Sequence, residues 1–171
     1  MSVIESTMTR FRADPAAARI APEVTASLVN GRARLSAGPF NWEADLPVAI
    51  GGENLAPSPT AYLLGALAGC GVAFIRDTLA PQLSLRIDDV SAVARCVSDL
   101  RGLLAVDGAA PDLDQIAIEL RVVSPEPPER LEQLYQAWLE RCPIFLVIRK
   151  PNDVQVSFAS EPSPAPARPP A

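Results

Sequence analysis

The sequence predicts an α+β domain in which helices cover one face of antiparallel sheet. Three observations carry that prediction. Read from its hydrophobic period, the chain runs through three strands, a helix, further strands, a second helix and a last strand. The run from Ser58 to Ile75, SPTAYLLGALAGCGVAFI, has apolar residues on every side, the pattern of a helix buried all round. Residues Ile116, Ile118, Leu120 and Val122 alternate with Gln115, Ala117, Glu119 and Arg121, the period of a half-buried strand. At 171 residues and 49% hydrophobic content, the chain can bury the core of one such domain.

Taken in order, residues 1–22 have no clear period and read as an N-terminal arm, loose and outside a domain that covers residues 23–160. Residues 24–28 and 32–35 flank Asn30-Gly31, a dipeptide suited to the type I′ turn of a two-residue hairpin. Phe40, Trp42 and Ala44 alternate with polar neighbours and give a third strand. The glycine-containing loop at 49–54 is placed to line a pocket. Ser58 is a good N-cap and Pro59 fits the first helical position, so the central helix starts there and is expected to end near residues 78–80, ahead of Pro81. Its apolar run of about fifteen residues falls short of the roughly twenty that span a bilayer, and no membrane partner is expected. Gly65, Gly69 and Gly71 weaken a helix and point to another backbone or a ligand close to the face bearing Cys70.

Beyond Pro81, Leu83, Leu85 and Ile87 alternate as a strand would, and residues 90–97, with Cys96, form another. Residues 99–111 read as a connection. Pro127-Pro128 opens a second helix with Leu131, Leu134, Tyr135, Trp138, Leu139 and Cys142 on one stripe. Pro143 either kinks that helix or starts a short new one through residues 144–148. Val154, Val156 and Phe158 suggest a final strand, and the proline-rich residues 161–171 a disordered tail.

Composition excludes several functions. A net charge of −5 with no basic run argues against a nucleic-acid partner. The absence of histidine removes Ser-His-Asp and Cys-His catalysis together with imidazole metal sites. Neither a metal nor a cofactor is expected, since Cys70, Cys96 and Cys142 also lack local ligand spacing. Three cysteines without CxxC or a secretory segment fit a reducing compartment, the cytoplasm by default.

The cysteines leave two readings open. All three can be small core hydrophobes. Alternatively, Cys70 attacks an oxidant as thiolate and Cys142 condenses with the resulting sulfenic acid. A thiol of ordinary pKa, about 8.5, is mostly protonated at pH 7, so the second reading needs a cation near Cys70. Arg32, Arg34 and Arg76 are the candidates.

The stretch GGENLAPSPTAYLLGALAGC, the Asp99-Leu100-Arg101-Gly102 turn, the alternating strand to Val122 and the Cys142-Pro143 pair ending a second helix together resemble the OsmC/Ohr family of osmotically inducible and organic hydroperoxide resistance proteins. The resemblance covers residues 24–158. It implies an intertwined homodimer with active sites at the subunit interface and reduction of organic hydroperoxides with recycling by an external dithiol. It also implies that Cys70 attacks the peroxide, Cys142 resolves and Cys96 has no catalytic place. The family's activating arginine comes from the first hairpin or from the loop before the helix; that loop, residues 40–54, has none here and the hairpin offers Arg34 and Arg32, Arg34 being favoured because Arg32 adjoins the turn. The sequence departs at Thr60-Ala61, where peroxidases of the family carry a glutamate that holds this arginine, so the Cys70 pKa is expected to be only modestly lowered. The alternative is a non-peroxidase member that binds a small apolar or thiol-reactive ligand at the dimer interface.

Overall fold

The computed structural model describes residues 3–160, and the proline-rich tail expected at 161–171 lies outside them. The order is α1 (Val3–Ala13), β1 (Thr25–Val29), β2 (Arg32–Ala37), β3 (Phe40–Ala44), α2 (Pro59–Phe74), α3 (Ala80–Gln82), β4 (Asp89–Ser98), α4 (Leu100–Leu103), β5 (Leu113–Val123), α5 (Pro128–Arg141) and α6 (Pro143–Arg149). The architecture is α+β with antiparallel sheet, as expected. It is divided into a three-stranded sheet, β1-β2-β3, and a two-stranded one, β4-β5.

The hairpin turns at Asn30 and Gly31, both in the left-handed region at φ 51° and 79°, as a type I′ turn requires. On β5, Gln115 at φ 50° lies in a bulge where the ladder slips between Arg95 and Val97 of β4. The segment expected to be a loose arm carries α1, whose half-buried Met8 accepts a hydrogen bond from Gln82 Nε2 at 3.4 Å.

The central helix differs from expectation in three ways. First, it does not stop before Pro81. A π-helical turn at Ile75–Leu79 widens the backbone, with Ala80 N–H bonding to Ile75 O, and this accommodates a residue that lacks an N–H. Helical backbone therefore runs 24 residues, from Pro59 to Gln82, long and apolar enough to cross a membrane by length and composition, so the argument from a short run does not hold. Second, the helix ends in a Schellman motif: Ser84, at φ 51°, donates to Pro81 O at 3.2 Å, and Leu85 donates to Ala80 O at 2.8 Å. The alternating Leu83, Leu85 and Ile87 are thus a helix stop with a buried Leu85, not a strand. Third, the helix is not buried all round. Leu67, Gly71, Ile75 and Leu79 face the core, while Ala61, Gly65, Ala66, Gly69 and Ala73 are exposed in the single chain.

The core lies where the end of this helix meets α5: Ile75, Leu79, Ala80, Leu85, Leu134, Trp138 and Cys142 form one buried cluster. Its position follows from the stripe read on α5, although Tyr135 turns out to be 47% exposed. Pro143 starts a new helix, α6, the second of the two outcomes considered for it. The strand expected at Val154, Val156 and Phe158 is absent; these residues are 74%, 86% and 94% exposed, because no described strand lies beside them to complete a ladder.

Candidate active site

The body of one helix and the end of another bring the sulfurs together. Ser58 Oγ caps α2 by accepting from Ala61 N–H at 3.2 Å, which fixes the register that places Cys70 on the side facing α5 and α6. Gly71, the next residue, explains how the sheet comes so close. A Cβ there would lie 2.7 Å from Leu120 Cδ2 and 3.4 Å from Ile118 Cδ1, so any larger residue would make the Leu120 side chain shift. Gly65 and Gly69 have no such neighbour, and the close approach expected at all three glycines is confined to Gly71.

Cys142 ends α5. Its N–H bonds to Trp138 O at 2.9 Å, its carbonyl accepts from Leu146 of α6 at 3.0 Å, and its side chain is fully buried. The Cys70 and Cys142 Sγ atoms, 72 residues apart in sequence, stand 3.1 Å apart with a hydrogen bond between them, and both are free thiols. A disulfide needs about 2.05 Å, so once an oxidant takes two electrons and both thiol protons leave, roughly 1 Å of closure suffices for the bond. Cys96 stands on β4 at the ladder slip and takes no part in this pair.

Burial pushes the Cys70 thiol up to about 11; the hydrogen bond and charge shared with Cys142 push the same way, and only the Ile144 backbone N–H at the start of α6 opposes them. The expected modest lowering is therefore not found within the single chain, since no arginine contributes at the sulfur. Arg76 is drawn off by its neighbour Asp77, with bonds of 2.7 and 2.8 Å on the surface. Arg34 is exposed and makes no ion pair among the described residues. Arg32 is ion-paired, its Nε 3.1 Å from Glu43 Oε2 on the next strand, although this buried nitrogen makes no hydrogen bond.

Glu43 and Asp45 were not singled out in the sequence. Asp45 is buried and accepts from three backbone amides: Leu46 at 2.7 Å, Glu53 at 3.2 Å and Leu55 at 2.9 Å. The Leu55 bond first, and then the others and Arg32, hold its carboxyl below the ordinary range against the cost of burial. Gly52 belongs to the same cage, since a Cβ there would lie 1.9 Å from Leu46 O. This loop, Arg32 and Pro59 surround a cavity of about 370 Å³, the pocket expected of the glycine loop. The sequence signal for it was an aspartate directly before a Pro- and Gly-rich loop, the composition of an Asx turn. Among the described residues, no group of three or more Cys, Asp or Glu side chains is placed to hold a metal ion.

The sequence profile of the OsmC-like protein family matches residues 51–157. No curated protein matches the chain. Solved structures repeat the fold. An OsmC-like protein from Mycoplasma pneumoniae superposes with a TM-score of 0.63 at 18% identity, covering 76% of this chain and 88% of that one. An organic hydroperoxide resistance protein from Legionella pneumophila gives 0.58 at 20% identity, covering 76% and 90%. The organic hydroperoxide resistance protein OhrB of Bacillus subtilis gives 0.50 at 18% identity, covering 76% and 91%. The family profile spans more than half the chain and takes in both sulfurs of the pair, and so the protein belongs to the OsmC family.

Proposed function

We propose that this protein is a thiol peroxidase that reduces organic hydroperoxides as a homodimer. The observation that carries the reading is the 3.1 Å approach of Cys70 and Cys142, the two cysteines to which the family resemblance gives the attacking and resolving roles. The Cys70 thiolate attacks the distal oxygen of ROOH, the O–O bond breaks, and the alkoxide leaves as ROH with a proton. Cys70 is left as sulfenic acid. Cys142 then condenses with it, expelling water and forming the disulfide, and an external dithiol takes up the oxidation and restores both thiols. The names of the Legionella and Bacillus relatives carry the same substrate class. The three free cysteines suit a reducing compartment such as the cytoplasm.

The chemistry needs a thiolate, and the single chain leaves Cys70 protonated. In the dimer reading, a second copy supplies the missing cation across the uncovered face of α2. Arg32 is a better candidate than Arg34 because Glu43 holds it, filling the part of the carboxylate absent from Thr60-Ala61. The exposed small residues of α2 and an apolar hollow of about 730 Å³ between that helix and β2-β3 support association. So does the exposed alternation of Val154, Val156 and Phe158.

Reduced protein treated with one equivalent of cumene hydroperoxide, beside hydrogen peroxide, and then peptide-mapped tests the reading. The expected product is a Cys70–Cys142 disulfide with Cys96 free, formed faster by the organic peroxide. A disulfide to Cys96, or sulfinic acid on Cys70 beside an untouched Cys142, rules the pair out. The raised Cys70 thiol favours a second reading, a non-peroxidase member binding a small apolar ligand at the interface. Thiols that survive the peroxide in the dimer select it.

A further inference from the structure

The two sulfurs of the pair differ in access. Cys142 is 0% exposed and belongs to the core cluster with Leu79, Leu134 and Trp138. The junction of α5 and α6 closes over it: its N–H bonds to Trp138 O at 2.9 Å, its carbonyl accepts from Leu146 at 3.0 Å, and the Trp138 and Phe145 rings meet with centroids 4.9 Å apart. Cys70 is only half-buried. Its helical neighbours Ala66 and Ala73, a turn to either side, are exposed, and Gly69 beside it has nothing within 4 Å of the position a Cβ would take. We infer that the external dithiol restores the pair by attacking the sulfur of Cys70 and not that of Cys142, so that Cys70 carries the mixed disulfide with the reductant and Cys142 is the leaving group.

The inference rests on the disulfide cycle proposed above. In that cycle a peroxide reaches the Cys70 sulfur, so the opening that admits it, with or without a second copy seated on α2, is also the way in for a thiolate. Cys142, with no exposed surface, is reached only if α5 and α6 part. Thiol–disulfide exchange depends on which sulfur an incoming thiolate can reach. The first thiol of the reductant gives up its proton, its thiolate bonds to Cys70 Sγ, and the bond between the cysteines breaks. The electron pair of that bond goes to Cys142, which takes up a proton. The reductant's second thiol, as thiolate, then attacks the reductant's own sulfur in the mixed disulfide. A disulfide closes within the reductant, and Cys70 leaves as thiolate and is protonated in turn.

Full-length protein oxidised with diamide, which requires no peroxide, is mixed briefly with 2-mercaptoethanol, quenched with acid, unfolded, blocked with N-ethylmaleimide and peptide-mapped. Mercaptoethanol should be found on Cys70 and maleimide on Cys142. The reverse placement, or mercaptoethanol on both cysteines alike, overturns the inference. A second measurement does not depend on trapping the adduct. In a Cys96→Ala background, 2,2′-dithiodipyridine should modify the remaining thiol of folded Cys142→Ser at least about tenfold faster than that of folded Cys70→Ser, where Cys142 reacts only through local opening of the chain. Equal rates, or a faster Cys142, also overturn it. A protein that diamide oxidises and cumene hydroperoxide does not loses the peroxidase reading, whereas an adduct on Cys142 leaves that reading in place and removes this one.

Discussion

Cys70 and Asp45 are both acidic groups shifted by the fold, but in opposite directions, and the two shifts give opposite pH dependences. The Cys70 thiol is raised from 9.0 to about 11, first by burial and then by Cys142. Between those values the unfolded chain has lost its proton and the folded chain keeps it. The contribution is therefore fully present below pH 9 and is lost as pH rises toward 11. Denaturant titrations of a monomeric form at pH 8, 9 and 10 should find it losing stability relative to the same form carrying Cys70→Ser, while parallel curves for the two would show the thiol of the single chain to be unperturbed. Asp45 is lowered, chiefly by the Leu55 amide. Its contribution is present above the ordinary carboxylate pKa of 3.8 and is lost as pH falls through its lower folded value. Asp45→Asn keeps the shape but offers an N–H₂ where an acceptor is needed. It should lower the thermal midpoint at neutral pH and flatten the acid limb below about pH 4. An unchanged acid limb would remove Asp45 from the account of the loop.

At the scale of elements, Gly71 and Gly52 are held by packing while Gly65 and Gly69 of α2 are not. Gly71→Ala would push a methyl into Leu120 Cδ2 at 2.7 Å, a side-chain tip that can give way, at a cost of about 1–3 kcal/mol. Gly52→Ala meets the Leu46 backbone at 1.9 Å, which cannot yield without opening the Asp45 cage, and should cost about 2 kcal/mol or more. Urea unfolding of both variants measures this, and a Gly52→Ala variant as stable as wild type would contradict the close approach. The same contrast explains what the sequence revealed. Turn and cap chemistry is local, so Asn30-Gly31, Ser58-Pro59 and the α5 stripe were legible. Leu83, Leu85 and Ile87 misled because a Schellman stop and a strand both put apolar residues two apart. The π turn before Pro81 and the cage around Asp45 depend on backbone bonds that no residue pattern encodes. Glu43 escaped notice because its partner Arg32 lies on another strand, where spacing along the chain carries no information.

For the whole molecule, the central helix poses the remaining question: apolar throughout in sequence, it is covered along one side only in a single chain. Gly65 lies on the open side, with nothing within 4 Å of the position a Cβ would take. Gly65→Glu should therefore leave the fold of one chain intact, and even favour the helix by up to about 1 kcal/mol, the penalty that glycine carries there. Placed on a helix face that a second copy covers, the same carboxylate would be desolvated without a partner, so the variant should be monomeric where the wild type is dimeric by light scattering. The two states then separate the sources of the thiol's acidity. In the monomeric variant, Cys70 should react with iodoacetamide along a pH profile centred near 11, the value set by burial and Cys142. In the wild-type dimer, an arginine from the second copy should bring the midpoint down by at least a unit, a tenfold gain in thiolate at neutral pH. Arg32→Met in the dimeric background should return the profile toward that of the monomer. If wild type and Gly65→Glu are both dimers, the open face of α2 is not the interface. If the variant is monomeric but its Cys70 profile matches the wild type's, the second copy contributes no charge to the sulfur, and the pair functions, if at all, with the groups of one chain.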